Sequence, residues 1–335
     1  MPLRVLELRI GDRDFEDLSD LFADQPVLDI WSDESSEGTA IVWVLIDAAH
    51  VEALSDVLMG RLGSGEDFRL VVLPVEATLP SVRPPSGPGQ EGETEREQAP
   101  AELQRISREE LYQELTEESN LTVTYVAMVA LSAVVAAIGM TRGDVAIIIG
   151  AMVIAPLLGP NIALSLGSTL GDLDLITRSL KSLGAGAVTV AGLAMLLGMA
   201  LDVDPSAPQI LTRTQPEIGD ILLALASGAA GSLAFTSGVP TAVVGTMVAV
   251  ALLPPLVGAG LLVGSGHLGE AVGGLALVLT NITCINLAAI GTFLIQQIRP
   301  RAWWETERAR RATRIAVSIW VTMLVLLAVL IVLEL

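Results

Sequence analysis

The chain has 335 residues, 52% of them hydrophobic, with a single cysteine and a formal net charge of −19, and its mean hydropathy is +0.62. Residues 1–118 hold 27 acidic against 9 basic side chains, whereas residues 119–335 hold 11 against 10, so an acidic, water-compatible head is joined to a nearly charge-free remainder. That excludes a soluble cytosolic protein, and a lone Cys284 excludes an intrachain disulfide framework. The opening MPLRVLELRIGDRDF lacks the charged and then apolar regions of a secretory signal, so the head is expected to stay on the side where it is made. No clustered basic face is present in the head, which argues against a nucleic-acid partner.

In chain order, residues 3–10 alternate apolar and polar, the period of a half-buried strand. Phe15, Leu18, Leu21 and Phe22 recur at helical spacing within 12–22. Residues 27–31 and 39–46 read as strands around a polar turn, Asp47 is placed to cap a helix over 48–62, and 68–75 reads as a last strand. Strand, helix, strand, strand, helix, strand is the order of a ferredoxin-like split βαβ unit, predicted for a cytoplasmic α+β domain over 1–76. It carries no catalytic constellation and is expected to serve assembly or to sense a small ligand. Residues 77–104 combine Pro, Gly and Glu with few bulky apolar side chains, the composition of a disordered linker. Over 105–118, Ser107 followed by Glu110 makes a capping box, and Ile106, Leu111 and Leu115 give an amphipathic helix.

The remainder reads as a polytopic α-helical membrane protein of about seven spans, at 121–140, 145–171, 182–201, 218–237, 241–265, 270–297 and 313–333. Lys and Arg collect in loops that stay in the cytoplasm. With the head inside, the inner loops hold Arg178, Lys181, Arg299, Arg301, Arg308, Arg310, Arg311 and Arg314, against Arg142 and Arg213 outside. The expected location is therefore the bacterial cytoplasmic membrane, N-terminus cytoplasmic and C-terminus extracytoplasmic. Trp303 and Trp304 beside the last basic cluster suit the interface.

The second and fifth spans repeat an apolar-Pro-Leu-apolar-Gly pattern when Pro156 is aligned with Pro255. Three spans per unit make the repeat inverted, first over 119–201 and again over 217–298 across an extracytoplasmic loop at 202–216, with a basic loop and final helix at 299–335. Inverted repeats with broken helices are a frequent plan of secondary transporters. Pro156 and Pro160, and Pro254 and Pro255, are expected to break their helices near the bilayer midplane and to free backbone carbonyls, which must then meet protein or a watery cavity. Gly159 and Gly258 flank the breaks. No charged side chain falls at a predicted span centre, which disfavours a carboxylate proton relay. Among the neutral polar residues at depth, Asn161, Ser165, Asn281 and Asn286 are candidate contacts, with interhelical hydrogen bonding as the alternative.

GAMVIAPLLGP (150–160), VAVALLPPLVGAG (248–260) and TNITCINLAA (280–289) resemble the signature segments of the hydrophobic-domain family of prokaryotic membrane proteins called domain of unknown function 389. The resemblance covers roughly residues 120–298 and implies an integral bacterial or archaeal membrane protein, with no chemistry to carry over. The residues point to a transporter of a small solute or ion and not to an enzyme, since no span end pairs a nucleophile with a base or gathers metal ligands, and no cofactor is implied. A neutral solute, a cation held by carbonyls and hydroxyls, or an anion at half-helix N-termini all suit the breaks. An oligomeric channel and a non-transporting sensor or scaffold are the alternatives, and the expected partners are the lipid bilayer, the solute and further copies of the chain.

Overall fold

The computed structural model describes residues 3–11, 22, 25–35, 39–62, 68–75, 106–238, 241–298 and 303–333. The helix expected over 12–22 and the linker over 77–104 lie outside the described residues, as do Arg299, Arg301 and the side chains of Trp303, Trp304 and Arg308. The chain forms two compact units, Met1–Leu111 and Tyr112–Leu335.

In the first unit, β1 (Leu3–Gly11), β2 (Val27–Ser35), β3 (Thr39–Asp47) and β4 (Arg69–Val75) form one sheet in the order β2-β3-β1-β4, with every neighbouring pair antiparallel. The alternation read from LRVLELRI is real: Leu6, Leu8 and Ile10 are buried, as are Val42, Val44 and Ile46 on β3. α1 (Ala48–Leu62) covers that face with Val51, Leu54 and Leu58. It begins where expected, because Asp47 Oδ1 accepts from Ala49 N at 3.1 Å. Both halves of the Ser107–Glu110 capping box are made: Glu110 N donates to Ser107 Oγ and Ser107 N to Glu110 Oε2, each at 3.2 Å. They open α2 (Arg108–Glu118).

The second unit is helical: α3 (Val123–Arg142), α4 (Val145–Ile154), α5 (Leu158–Leu170), α6 (Leu173–Ala200), the short α7 (Pro208–Leu211), α8 (Ile218–Thr236), α9 (Thr241–Gly264), α10 (Leu268–Ile295) and α11 (Trp303–Val332). Five helices are long and apolar enough to cross a membrane among the described residues, and α4 with α5 form a sixth candidate as a pair bent by 51°. Capping sets several boundaries. Asp144 and Asp172 accept from main-chain N–H groups of the first turns of α4 and α6, so α6 starts well before the span expected at 182 and carries Arg178 and Lys181 within its length.

Close approach is local to small residues. A Cβ on Gly198 or Gly264 would strike the backbone of the facing helix, Leu261 and Met195 respectively, which brings α6 against α9. The middle of each half packs on the third helix of the other, α5 against α10 and α9 against α6.

Two expectations about prolines are corrected. The first break lies at residues 155–157 around Pro156, but Pro160 is the third residue of α5. In a first turn no N–H is required of it, so it breaks nothing. Pro254 and Pro255 sit inside a continuous α9. The physical reason is on the facing helix: Pro255 deprives the Ala251 carbonyl of its donor, and Asn281 Nδ2 on α10 supplies one instead.

Candidate functional site

Asn281 and Asn286 share α10, and five residues of helix separate their directions by about 140°. Asn281, 4% exposed, therefore serves α9, while Asn286 turns to α5. There Ser165 Oγ donates to Asn286 Oδ1 at 2.7 Å, and Asn286 Nδ2 donates to Asn161 Oδ1 at 2.6 Å and to the Ile282 carbonyl at 2.8 Å. All three side chains are fully buried. The cluster joins the centre of one half to the third helix of the other.

Its arithmetic is incomplete. Asn161 Nδ2 is buried and has no partner. The orientation that leaves it so is forced: a backbone carbonyl accepts only, so the Asn286 atom facing Ile282 O is its nitrogen, and that nitrogen requires Asn161 to present its oxygen. An unpaired amide donor in such a place costs about 1–3 kcal/mol.

The other expected residues are placed as follows. Pro156 lines a cleft of ≈ 320 Å³ with Glu114, Glu117, Glu118, Thr122 and Tyr125. A Cβ on Gly159 would lie 2.5 Å from Glu118 Oε2 and 2.6 Å from its Cβ, so the carboxylate arm rests on the first turn of α5. Gly258 faces Thr214 and Arg213, at 3.7 and 4.0 Å from a Cβ built there. Pro255 adjoins this region through its carbonyl, which lies 3.2 Å from a Cβ built on Gly274. Pro156, Gly159, Pro160, Asn161 and Ser165 thus gather near the break, with Asn286 against them. Pro254, Pro255, Gly258 and Asn281 belong to α9 and its contacts, away from that cluster in sequence and bonding.

Sequence reading missed Glu118, Arg213 and Thr214. Each of the two charged residues stands five positions ahead of a long helix, α3 or α8. Burial, reinforced by Glu117, pushes the Glu118 carboxyl above the usual range. Burial lowers the Arg213 guanidinium, opposed by Asp220. Nearby anchors are ordinary: Tyr125 Oη donates to the Ser182 carbonyl at 2.9 Å, and Ser182 Oγ donates to the Ser119 carbonyl at 2.7 Å. Cys284 is buried and unpaired.

Long apolar helices with one bent pair, which follow a small antiparallel sheet in the chain, place it in the class of helical membrane proteins. Residues 152–287 match the model of the family described as Domain of unknown function (DUF389). The chain is 37% identical over 333 residues to an uncharacterized protein, MJ0678, of Methanocaldococcus jannaschii, with 99% of each chain covered. The chain belongs to the DUF389 family. No solved structure matches it.

Proposed function

We propose that the protein is a seven-span transporter of a small solute in the cytoplasmic membrane, with its solute site at the Asn161–Ser165–Asn286 cluster beside the α4–α5 break. The observation that carries this reading is the cluster itself: a buried, incompletely satisfied polar network bridging two inverted halves, where purely structural glue would have every group paired. α9, with its Pro254–Pro255 pair, counts as the span that completes seven.

The head is read as a ferredoxin-like cytoplasmic domain, from its strand order with α1 on one face. The distribution of Arg and Lys supports N-terminus inside and C-terminus outside. No bond-making chemistry or cofactor is assigned, and a homo-oligomer is the expected assembly. A channel lined by the same cluster is the second reading, favoured by the cleft that reaches Pro156 from solvent. A sensor role for the head is favoured by Trp31, half exposed and stacked on Trp43 with ring centroids 6.5 Å apart.

Uptake into proteoliposomes separates these readings. A carrier gives saturable flux of a small solute that falls on Asn286→Leu. Unitary currents indicate the channel, and the absence of flux for any solute, with binding confined to the head, indicates the sensor.

A further inference from the structure

The first turn of α5 is unusual in three ways at once. It begins inside the protein, with Leu158, Gly159, Pro160 and Asn161 all buried. Its N-cap, Leu157, provides no side-chain acceptor. The first N–H groups of any helix lack intrahelical partners, and a helix end buried without substitutes calls for a ligand or water. One turn on, Asn161 Nδ2 is a second orphan donor, independent of the helix geometry. A helical side chain leans back toward the N-terminus of its own helix, so this amide inclines toward the same turn.

We propose that the buried amino-terminal turn of α5 binds the acceptor oxygen of a neutral solute, with Asn161 Nδ2 as the recognising donor. This rests on the reading of the Asn161 cluster as the transport site and names the class of solute that fits it. The unpartnered polar atom of the cluster is a donor. The Oδ1 atoms of Asn161 and Asn286 each accept a hydrogen bond, from Asn286 Nδ2 and Ser165 Oγ, whereas Asn161 Nδ2 meets no acceptor, so the unmet need of the cluster is for an acceptor oxygen. A ligand must therefore bring the acceptor, as a carbonyl, an amide or a hydroxyl does.

An oxyanion would satisfy the same donors, and the helix N-terminus by itself would welcome it. Here that place is already acidic. Glu118 lies against Gly159, and Glu114 and Glu117 share its cleft with Pro156. A negatively charged ligand is disfavoured beside these three carboxyl groups, whereas a dipolar acceptor is not. Charge thus selects the neutral member of two ligand types that share one hydrogen-bonding pattern.

The test uses the full chain in detergent, with acetamide as the neutral acceptor, acetate as its anionic isostere and rubidium chloride as the cation. Acetamide is expected to raise the thermal unfolding midpoint in a saturable way, and Asn161→Leu to weaken its apparent affinity about tenfold or more, the value of one hydrogen bond. A shift of equal size in Asn161→Leu, or an Asn161-dependent shift produced by rubidium, overturns the proposal. An Asn161-dependent shift stronger with acetate overturns its neutrality. Should Asn161→Leu fail to fold, a structure of the unaltered protein in acetamide decides: its oxygen in hydrogen-bonding reach of Asn161 Nδ2 supports the site, and a lone water there overturns it. Asn161-dependent binding without acetamide flux keeps the site and ends the transport reading. Flux indifferent to Asn161→Leu does the reverse.

Discussion

A carbonyl orphaned by proline and rescued by an amide is the residue-scale feature most open to measurement. Asn281 Nδ2 donates to Ala251 O, the acceptor that Pro255 leaves without its helical donor. Asn281→Leu is therefore expected to destabilise the protein by about 1–3 kcal/mol. In a Pro255→Ala background the restored N–H takes over that acceptor, and the same substitution should cost far less. A double-mutant cycle on reversible unfolding in detergent measures the coupling, and additive costs would show that the two residues act independently. A second residue-scale case is Tyr112, whose hydroxyl meets Asp172 Oδ2 at 2.6 Å. The hydrogen bond to Asp172 foremost, and burial after it, raise its pKa from 10.0 to about 12. A raised pKa means the folded state holds the proton more tightly, so the contribution is complete below pH 10.0 and lost as pH climbs toward about 12. Tyr112→Phe should flatten the stability profile across that window, and an unchanged slope would assign the loss to other groups. Glu118 titrates with the same sign lower on the scale: burial disfavours its charged form, so stability is greatest with the carboxyl protonated and falls as it ionises. Glu118→Gln should remove that part of the fall in a pH-dependent unfolding series.

The element scale shows what the letters could and could not disclose. Strand β1 was legible because alternation at period 2 reports directly which side chains face the core, and β2 to β4 because β-rich runs are set off by polar segments. α1 and α2 were legible because Asp47 and the Ser107–Glu110 pair are local devices, with donor and acceptor three residues apart or fewer. The prolines were only half legible. Pro156 breaks the run, but whether Pro254–Pro255 does so depends on Asn281 from another helix, a contact no local pattern encodes. Asn281 and Asn286 likewise stood out as buried amides, while their division of labour follows from helix rotation and from which neighbour each meets. Glu118 was hidden by its surroundings, since on α2 it reads as one of several solvated acids and only the contact with Gly159 distinguishes it. At this scale Gly264→Ala is expected to destabilise by about 1–3 kcal/mol, because the added methyl meets the Met195 carbonyl on a packed helix and cannot be relieved by a side-chain turn. Thermal unfolding of the variant checks this, and an unaltered midpoint would mean that α6 and α9 separate readily.

For the whole molecule, the partition of charge foretold two materials, and two compact units are found, although their division falls within α2 at Leu111 and Tyr112. The head draws stability from a β-sheet core and from Arg108, held at 2.6 Å by Glu109 and at 3.2 Å by Asp56. The helical unit instead depends on close backbone approach and on polar groups that are paired at depth, as expected where no water is available to compensate. Against that background two buried side-chain atoms among the described residues of the helical unit lack a partner, Gln296 Oε1 and Asn161 Nδ2, and of these Asn161 Nδ2 is the donor, in the cluster beside the break. The most direct measurement compares acetamide uptake into proteoliposomes by the unaltered chain, Asn286→Leu and Asn281→Leu, each scaled to folded protein. The account predicts that Asn286→Leu abolishes saturable uptake while Asn281→Leu keeps it; equal uptake by all three would contradict it.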